Sequence, residues 1–433
     1  MKDTLRRLFL ETLAELALDR VIPKKVRVRD SVLEVGEERI DLAPFKKIIL
    51  VALGKAAYPM TAAIKAVLEP RVASGVVVSS QPVPAEPLPY MLHYQGGHPY
   101  PNAESVRAAE VILELLRQLN QNHLVIYLLS GGGSAIVEKP IDPSIGLADL
   151  REFYRVLVTC GANIVEINTL RKHFSATKGG RMAETAHPAR QVTLYVSDVP
   201  ADRPSTVASG PAMPDESTLS DCLEIVARLN LRDRFPAPFR ALLDGGALPE
   251  TPKPGSAKFK RASWQALLST EQGIEKLCGA AAAEGWIVEQ DLAVDDWPVV
   301  RAAEYLLERL AGLRAKHPGR TVAVATGGEL SSPVTGDGTG GRNQAFVLAC
   351  AQRIAGQNVA VISAGTDGVD GNSPAAGAVA DGATAARAAR LGLDPADFFR
   401  RSDSYGFFAA LDDALITGPT GNNIRDLRLL AGW

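Results

Sequence analysis

Residues 123–134 read HLVIYLLSGGGS, an apolar run that ends directly in a turn of serine and glycine. The run shows no alternation of polar and apolar positions, which is typical of a strand buried on both faces of a parallel sheet. Glycines after such a strand let backbone N–H groups approach an anion closely. This stretch therefore predicts an α/β sheet with an anion-binding loop at the carboxyl end of one strand.

The same pattern recurs along the chain and alternates with segments of helical periodicity. Further buried strands are predicted at 47–53, 75–79, 191–196, 321–326 and 358–363. Strands alternating with helices predict two α/β domains, of which the first has a Rossmann-like, doubly wound and largely parallel sheet. A stretch rich in proline and glycine at 245–256 predicts the boundary. The predicted domains are 1–245 and a smaller one at 256–433.

Charge and composition exclude several classes of protein. The 433 residues contain 47 basic and 49 acidic side chains, a net charge of −2. This balance does not show the excess of basic residues that is typical of nucleic-acid-binding domains. No apolar run approaches the ~20 residues of a membrane span. The four cysteines lie far apart without a Cys-x-x-Cys pair, so we expect a reducing, cytoplasmic location without zinc or disulfides. Many of the 38 glycines fall in loops after strands, at 131–133, 327–328, 336–341 and 365–371.

The first glycine loop supplies the first set of candidate residues. Backbone N–H groups after a buried strand form a cradle for phosphate, although a tight turn without a ligand is the alternative. The loop is not a P-loop, because Gly-x-x-x-x-Gly-Lys-Ser/Thr is absent. Lys55, directly after strand 47–53, is expected to meet the phosphate as a point charge unless it is an idle surface lysine. The candidate phosphate contacts are Ser130, Gly131, Gly132, Gly133 and Ser134.

A second set lies in the loops at 327–344 and 364–381. The glycines of 336–341 begin ten residues after strand 321–326, which disfavours a dinucleotide fingerprint. Arg342 opens a helix, where the helix dipole opposes its charge, so we expect an anionic partner. The candidate nucleotide contacts here are Gly338, Gly340, Gly341, Asn343 and Thr366.

Carboxylates after strands are candidates for Mg²⁺ binding or for accepting a hydroxyl proton. Asp198 and Asp367 each follow a predicted buried strand, whereas aspartates elsewhere are more simply turn and cap residues. Asp198 is also the candidate general base. His93 and His98 flank Gly96-Gly97, and without metal-ligand partners in the sequence we interpret both as structural.

These loops together resemble the class II glycerate 2-kinase family. The motifs that carry the resemblance span the chain: VALGKAA (51–57), LLSGGGSA (128–135), NTLRKHFSATKGGRMAE (168–184), SDVPADRPSTVASGP (197–211), GGELSSPVTGDGTGGRNQAFVLA (327–349), SAGTDGVDGNSPAAGAV (363–379) and TGPTGNN (417–423). The last motif often reads GPTGTN in that family, so Asn422 is a departure. The resemblance implies a glycerate-kinase domain followed by a MOFRL domain, with the active site in the cleft between them.

The implied reaction is ATP- and Mg²⁺-dependent phosphorylation of D-glycerate at its 2-hydroxyl. The family's lysine and arginine fall on Lys55 and Arg342, which would neutralise the transferring phosphoryl group. Asp198 or Asp367 would hold Mg²⁺. The substrate carboxylate would meet Arg342, with Arg171 or Arg181 as second candidates.

Two alternatives of other classes stay open at this point. One is an NAD(P)-dependent hydroxypyruvate reductase, and the other is a non-catalytic protein that binds a nucleotide or sugar acid. The expected partners are small molecules, D-glycerate and ATP, with neither nucleic acid nor membrane. A homo-oligomer is compatible with the sequence.

Overall fold

A computed structural model describes residues 1–197 and 204–433. These residues form two compact units: the first unit is Leu18–Leu267, and the second unit joins Met1–Ala17 to Leu268–Trp433. The amino-terminal helix α1 (Lys2–Glu15) belongs to the second unit because its apolar face is buried there. The two units therefore do not coincide with the ranges 1–245 and 256–433, which remain a prediction as a domain assignment.

The first unit opens with helix α2 (Leu18–Lys25) and a small antiparallel sheet. Its three strands run in chain order, β1 (Val26–Arg29), β2 (Val32–Val35) and β3 (Glu38–Asp41). Each is only four residues long and half-buried, which explains why no long apolar run marks them in the sequence.

A six-stranded sheet organises the rest of the first unit, in the order β6-β5-β4-β7-β8-β9. The strands are β4 (Lys47–Leu53), β5 (Val72–Ser79), β6 (Met91–Gln95), β7 (His123–Leu129), β8 (Arg190–Val196) and β9 (Ala262–Leu268). Neighbours from β6 to β8 pair in parallel, which confirms the predicted doubly wound architecture. The chain runs outward from β4 to β6 and then returns to β7, so β4 and β7 flank the point where strand order reverses. Open α/β sheets bind ligands beyond the carboxyl ends of such strands.

Helices cover this sheet and pack against one another. They are α3 (Ala57–Leu68), α4 (Ala103–Arg117), α5 (Gly133–Ile136), α6 (Leu147–Thr159), α7 (Ile164–Phe174), α8 (Arg181–Ala186), α9 (Leu219–Arg228) and α10 (Ala237–Asp244). Asn102 caps α4 through a hydrogen bond from the Ser105 N–H group. Phe153 of α6 stacks on Phe239 of α10 at 4.2 Å between ring centroids, which fixes the helical layer behind the site.

The second unit contains a mixed six-stranded sheet, in the order β10-β11-β15-β12-β13-β14. The strands are β10 (Ile287–Gln290), β11 (Val322–Gly327), β12 (Val359–Gly365), β13 (Gly377–Asp381), β14 (Ala414–Leu415) and β15 (Asp426–Gly432). The carboxyl-terminal strand β15 lies between β11 and β12 and is antiparallel to both. The sequence prediction missed β15, because Asp426 and Arg428 interrupt its apolar run even though both are buried.

Helices α11 to α16 complete the second unit with α1. Their bounds are α11 (Thr270–Ala283), α12 (Val299–Lys316), α13 (Arg342–Arg353), α14 (Thr384–Arg390), α15 (Pro395–Arg400) and α16 (Ser404–Ala410). Helices α12 and α13 bury Leu306 and Phe346 in the core of this unit. Within the described part of the chain, no helix has the length and apolarity that crossing a membrane requires.

Candidate functional site

Lys55 and the loop Ser130–Ser134 lie side by side, because they follow the adjacent strands β4 and β7. The Lys55 N–H group donates to the carbonyl of Gly131 at 2.9 Å. The next N–H group, of Ala56, donates to the Ser130 hydroxyl at 3.0 Å. The structure therefore brings together the two features that the sequence singled out in the first unit. The loop leads into α5, whose first N–H groups have no acceptor within the helix.

The backbone conformation of Gly132 favours glycine. Its φ of +83° lies in the left-handed region. Glycine adopts this conformation readily, whereas any residue with a Cβ atom is destabilised in it. A Cβ atom there would also lie 3.3 Å from Cγ of Lys55 and 3.7 Å from Cδ2 of His98. The side chains of Lys55 and His98 therefore lie directly over the loop. His98, interpreted from the sequence as structural, is a neighbour of the candidate anion site.

A chain of hydroxyl groups anchors the far end of the loop. The Ser134 hydroxyl lies 2.8 Å from the Ser209 hydroxyl, which in turn donates to Oδ1 of Asn168 at 2.9 Å. Ala208 and Ser209 have φ values of +52° and +59°, an uncommon conformation for residues with side chains. The same turn brings Cβ of Ala208 within 2.5 Å of the position that a Gly133 Cβ would occupy. Gly133 is therefore needed for the close packing of this turn, and its predicted contact with phosphate remains a prediction.

Arg171 of α7 is linked to this loop through Tyr154. Its guanidinium carbon lies 4.9 Å from the centre of the Tyr154 ring, a cation–π contact. The Tyr154 hydroxyl donates to the carbonyl of Ser134 at 2.8 Å, so one side chain supports both the arginine and the loop. Nε of Arg171 is buried and has no hydrogen-bond acceptor among the described residues. The other candidate, Arg181, instead donates to the carbonyl of Pro249 at 3.2 Å.

A buried ion pair lies beneath Tyr154, and sequence reasoning missed it. Nζ of Lys178 lies 2.9 Å from Oε2 of Glu138, and both side chains are almost fully buried. Oε2 also accepts from the Tyr154 hydroxyl at 2.5 Å, and Oε1 accepts from the Ser175 hydroxyl at 2.5 Å. Burial lowers the pKa of Lys178, an effect that the Glu138 carboxylate opposes. The pair fixes the position of Tyr154 and hence of Arg171.

Arg342 begins α13 in the second unit and has carboxylate partners within the protein. Nε and Nη2 bind Asp426 at 2.6 and 3.1 Å, and Nη2 also lies 3.0 Å from Oε1 of Glu329. Burial opposes its charge, but Asp426 and Glu329 outweigh burial and raise the pKa of Arg342 above its ordinary value. About a third of the side chain, 35 %, stays exposed. Arg342 therefore has two anionic partners within the protein, while part of its guanidinium remains exposed. The anionic ligand that the sequence predicts for it remains a prediction.

Asp426 and Arg428 of β15 extend this network into the core. Arg428 is fully buried, lies 3.0 Å from Oδ2 of Asp426 and donates to the carbonyl of Gly328 at 2.9 Å. Neither residue was a sequence candidate, because nothing local to 426–428 shows that Asp426 pairs with Arg342 and Arg428.

Asn343 and Gln344 secure the start of α13 through Asp370. Both backbone N–H groups donate to the Asp370 carboxylate, at 3.1 and 2.9 Å. The Asn343 amide oxygen accepts from the Ser363 hydroxyl at 2.5 Å, so this predicted nucleotide contact already has protein partners. Burial raises the pKa of Asp370 to about 6, and the nearby Asp426 charge acts in the same direction.

Close packing explains the glycines of the loop at 336–341. A Cβ atom on Gly338 would lie 2.5 Å from Cβ of Asp403, and one on Gly340 would lie 2.2 Å from the Ser404 hydroxyl. A Cβ on Gly341 would meet Oδ1 of Asp370 at 2.3 Å. These glycines also border, with Arg342, a cavity of about 540 Å³ in the second unit. Their predicted contact with a nucleotide remains a prediction.

Thr366 holds the carboxyl-terminal loop to the end of β12. Its hydroxyl donates to the carbonyl of Arg425 at 2.7 Å and accepts from the Ile424 N–H group at 2.9 Å. Its carbonyl accepts from the Thr420 hydroxyl at 2.5 Å. The hydroxyl of this predicted cofactor contact is therefore engaged with the backbone.

We expect Thr366→Val to lower the free energy of unfolding by about 1–3 kcal/mol, because the buried Ile424 N–H group loses its acceptor. The Arg425 carbonyl loses one of its two donors and keeps the Thr366 backbone N–H group. Urea unfolding followed by circular dichroism measures the effect. Thr366→Ser keeps the hydroxyl and is the matched control, expected to retain most of the stability. A valine variant as stable as the serine variant would contradict this account of Thr366.

Of the two candidate metal ligands, Asp367 lies in the described part of the chain. Asp198 lies outside the described residues, as does the neighbouring Asp202. Asp367 follows β12 and accepts the Val369 N–H group on Oδ1 at 3.1 Å. Across residues 1–197 and 204–433, no group of three or more His, Cys, Asp or Glu side chains is arranged to hold a metal ion. The assignment of Mg²⁺ to Asp198 and Asp367 remains a prediction.

Comparison with known proteins adds whole-chain similarities to this geometry. A family model described as Domain of unknown function (DUF4147) matches residues 4–244, and the MOFRL family model matches residues 322–426. The D-glycerate 2-kinase of Thermotoga maritima is 34% identical over 98% of each chain. A crystal structure of glycerate kinase from T. maritima matches with a TM-score of 0.86 and 32% identity, covering 100% of this chain and 99% of the other. A putative hydroxypyruvate reductase of Agrobacterium vitis is 36% identical over 88% of this chain and 98% of its own.

Proposed function

The chain belongs to the glycerate 2-kinase family, in which a DUF4147 region is followed by a MOFRL region, and we propose that it phosphorylates D-glycerate. The γ-phosphoryl group of ATP would pass to the 2-hydroxyl, giving 2-phosphoglycerate and ADP. The observation that carries the proposal is the similarity to the T. maritima D-glycerate 2-kinase, which extends over nearly the full length of both chains. Three features remain predictions: the placement of the active site between two domains, the cytoplasmic location of the protein and its oligomeric state.

The first unit offers the groups that phosphoryl transfer needs. Such transfer depends on positioning and on neutralising charge, because charge is spread over the three equatorial oxygens of the phosphoryl group while the attacking and leaving oxygens stay in line. Lys55 and the backbone of Ser130–Ser134 would hold phosphate oxygens, and Arg171 would bind an anionic group nearby. Arg342 would use its open guanidinium edge for the same purpose, since Asp426 and Glu329 occupy the other edges.

Mg²⁺ fits the oxygen chemistry of the candidate ligands. The ion is usually held by one or two carboxylates together with substrate phosphates, so a cluster of three protein ligands is not needed. Asp198 or Asp367 would supply the carboxylate. The ion would neutralise phosphate oxygens, and the protein's own residues would orient the two substrates.

The reductase name carried by the A. vitis relative supports a second candidate function. Its sequence hallmark would be a dinucleotide loop, and the glycines at 336–341 are instead packed against residues 401–404 and Asp370. We therefore favour the kinase. The reductase predicts oxidation of NADH by hydroxypyruvate without ATP, and a non-catalytic binding protein predicts saturable ATP binding without turnover.

One assay separates the three functions. Purified protein is mixed with ATP, Mg²⁺ and D-glycerate, ADP is detected by a coupled reaction, and the phosphoglycerate isomer is identified by ³¹P NMR. Parallel samples contain L-glycerate, no ATP, or hydroxypyruvate with NADH. We expect ADP and 2-phosphoglycerate in equal amounts only with D-glycerate. Formation of 3-phosphoglycerate would overturn the position of transfer, and NADH oxidation without ADP formation would overturn the kinase.

A further inference from the structure

Two basic side chains, Lys55 and His98, lie over Gly132, and the charge of a third, Arg171, acts on the His98 ring. Lys55 follows β4, His98 follows β6, and Arg171 lies on α7. A Cβ atom built on Gly132 would lie 3.7 Å from Cδ2 and 3.8 Å from Nε2 of His98, in addition to its contact with Cγ of Lys55. One edge of the imidazole ring, with its Nε2 atom, therefore faces the glycine loop.

The hydrogen bonding of His98 differs from that of a structural histidine. His173 shows the structural pattern: the ring is buried, Nδ1 lies 2.8 Å from the carbonyl of Thr169, and Nε2 lies 3.1 Å from Glu250. His98 lies at the surface with its ring only partly buried, and neither of its ring nitrogens is hydrogen-bonded to any residue within 1–197 or 204–433. Nothing that the structure describes thus uses the polar atoms of this ring, although it lies at the candidate anion site.

The surroundings of His98 favour the neutral ring. Partial burial lowers its pKa below the ordinary value, and the positive charges of Lys55 and Arg171 act in the same direction. Among the described residues, Lys55 and Arg171 are the charged groups that act on the ring from neighbouring elements. A neutral imidazole keeps a lone pair on one nitrogen, so it can accept a proton at neutral pH while the cations hold anionic oxygens.

We infer that His98 is the general base that activates the acceptor hydroxyl, an inference that rests on the proposed kinase function. The O–H bond of the glycerate 2-hydroxyl breaks, and its proton moves to a ring nitrogen of His98. The hydroxyl oxygen forms a bond to the γ-phosphorus of ATP. The bond from that phosphorus to the bridging oxygen breaks, and ADP leaves with the electron pair. The imidazolium then returns its proton to solvent.

His98→Gln tests the inference, since glutamine keeps hydrogen bonding but does not titrate near neutral pH. His93→Gln is the matched control, because His93 lies on the same segment, within β6, and its pKa is also lowered by burial. We measure kcat, both KM values and the pH profile of kcat/KM from pH 5 to 9. In the wild type, activity falls as acid protonates the base. For His98→Gln we expect kcat to drop about 10²-fold, KM for ATP to stay within threefold, and the acidic limb to disappear.

His98→Ala allows a test by chemical rescue, which is not expected if His98 has only a structural role. Because His98 lies at the surface, added imidazole is expected to restore part of the activity of this variant. The inference is overturned if His98→Gln keeps kcat within threefold of wild type, or if it loses activity but retains the acidic limb. Loss of that limb in Asp198→Asn instead would assign the base to Asp198. A wild-type protein that forms no phosphoglycerate overturns the proposed function and this inference together, whereas an active wild type with an unaffected His98→Gln overturns the inference alone.

Discussion

Lys55→Ala is expected to lower kcat/KM by at least about 10²-fold, which corresponds to about 3 kcal/mol of lost transition-state stabilisation. The backbone of Lys55 is fixed at the carboxyl end of β4 by its hydrogen bond to Gly131. Its side chain passes over Gly132, so the ammonium group is carried to the loop that we propose to hold the phosphates. A charge placed there interacts with the phosphoryl group most strongly when charge builds in the transition state.

Steady-state kinetics with ATP and D-glycerate measure this loss. Lys47→Ala is the matched control, because Lys47 is an exposed lysine at the opposite end of the same strand and should leave kcat/KM unchanged. Lys55→Arg keeps the charge but changes its shape and reach, so it should recover only part of the activity. A Lys55→Ala enzyme within fivefold of wild type would remove Lys55 from the phosphate site.

The strands that position this site could be predicted closely because their information is local. The runs at 47–53 and 123–129 correspond to β4 (Lys47–Leu53) and β7 (His123–Leu129) without any shift. A strand buried on both faces needs an uninterrupted apolar run, and the sequence alone contains it. Strand β15 escaped this reasoning because its polar side chains are buried by pairing with residues from distant parts of the chain.

The candidate site shows the same division between local and distant information. Arg342 stood out because its charge conflicts with the helix dipole, yet its partner Asp426 lies 84 positions further along the chain. Tyr154 carried no motif, and only the fold brings it under Arg171 and against Ser134. His98 was interpreted as structural because the sequence shows no metal partners for it. The structure instead leaves its ring without described hydrogen bonds beside Lys55.

Arg342→Ala is the second large effect that we expect, again a decrease in kcat/KM of at least about 10²-fold. The open edge of the guanidinium is the part available to a phosphoryl or carboxylate group, and the substitution removes it. The same substitution deprives Asp426 and Glu329 of their shared counter-ion, so it also tests a structural role. Partial exposure and the remaining bond from Arg428 to Asp426 limit that structural cost.

A substrate-binding role and a structural role of Arg342 predict different combinations of kinetic and unfolding results, which are measured on the same preparation. Kinetics and urea unfolding are compared for Arg342→Ala and for Arg353→Ala, which removes an arginine at the other end of α13 that pairs with Glu304 at 2.5 Å. If Arg342 binds substrate, its alanine variant loses activity at temperatures where it is fully folded, and Arg353→Ala does not. If the urea midpoint falls while kcat/KM of the folded enzyme stays near wild type, Arg342 serves only to neutralise Asp426 and Glu329. In that case the predicted anion partner of Arg342 is the protein itself, and the phosphoryl group depends on Lys55 and the glycine loop.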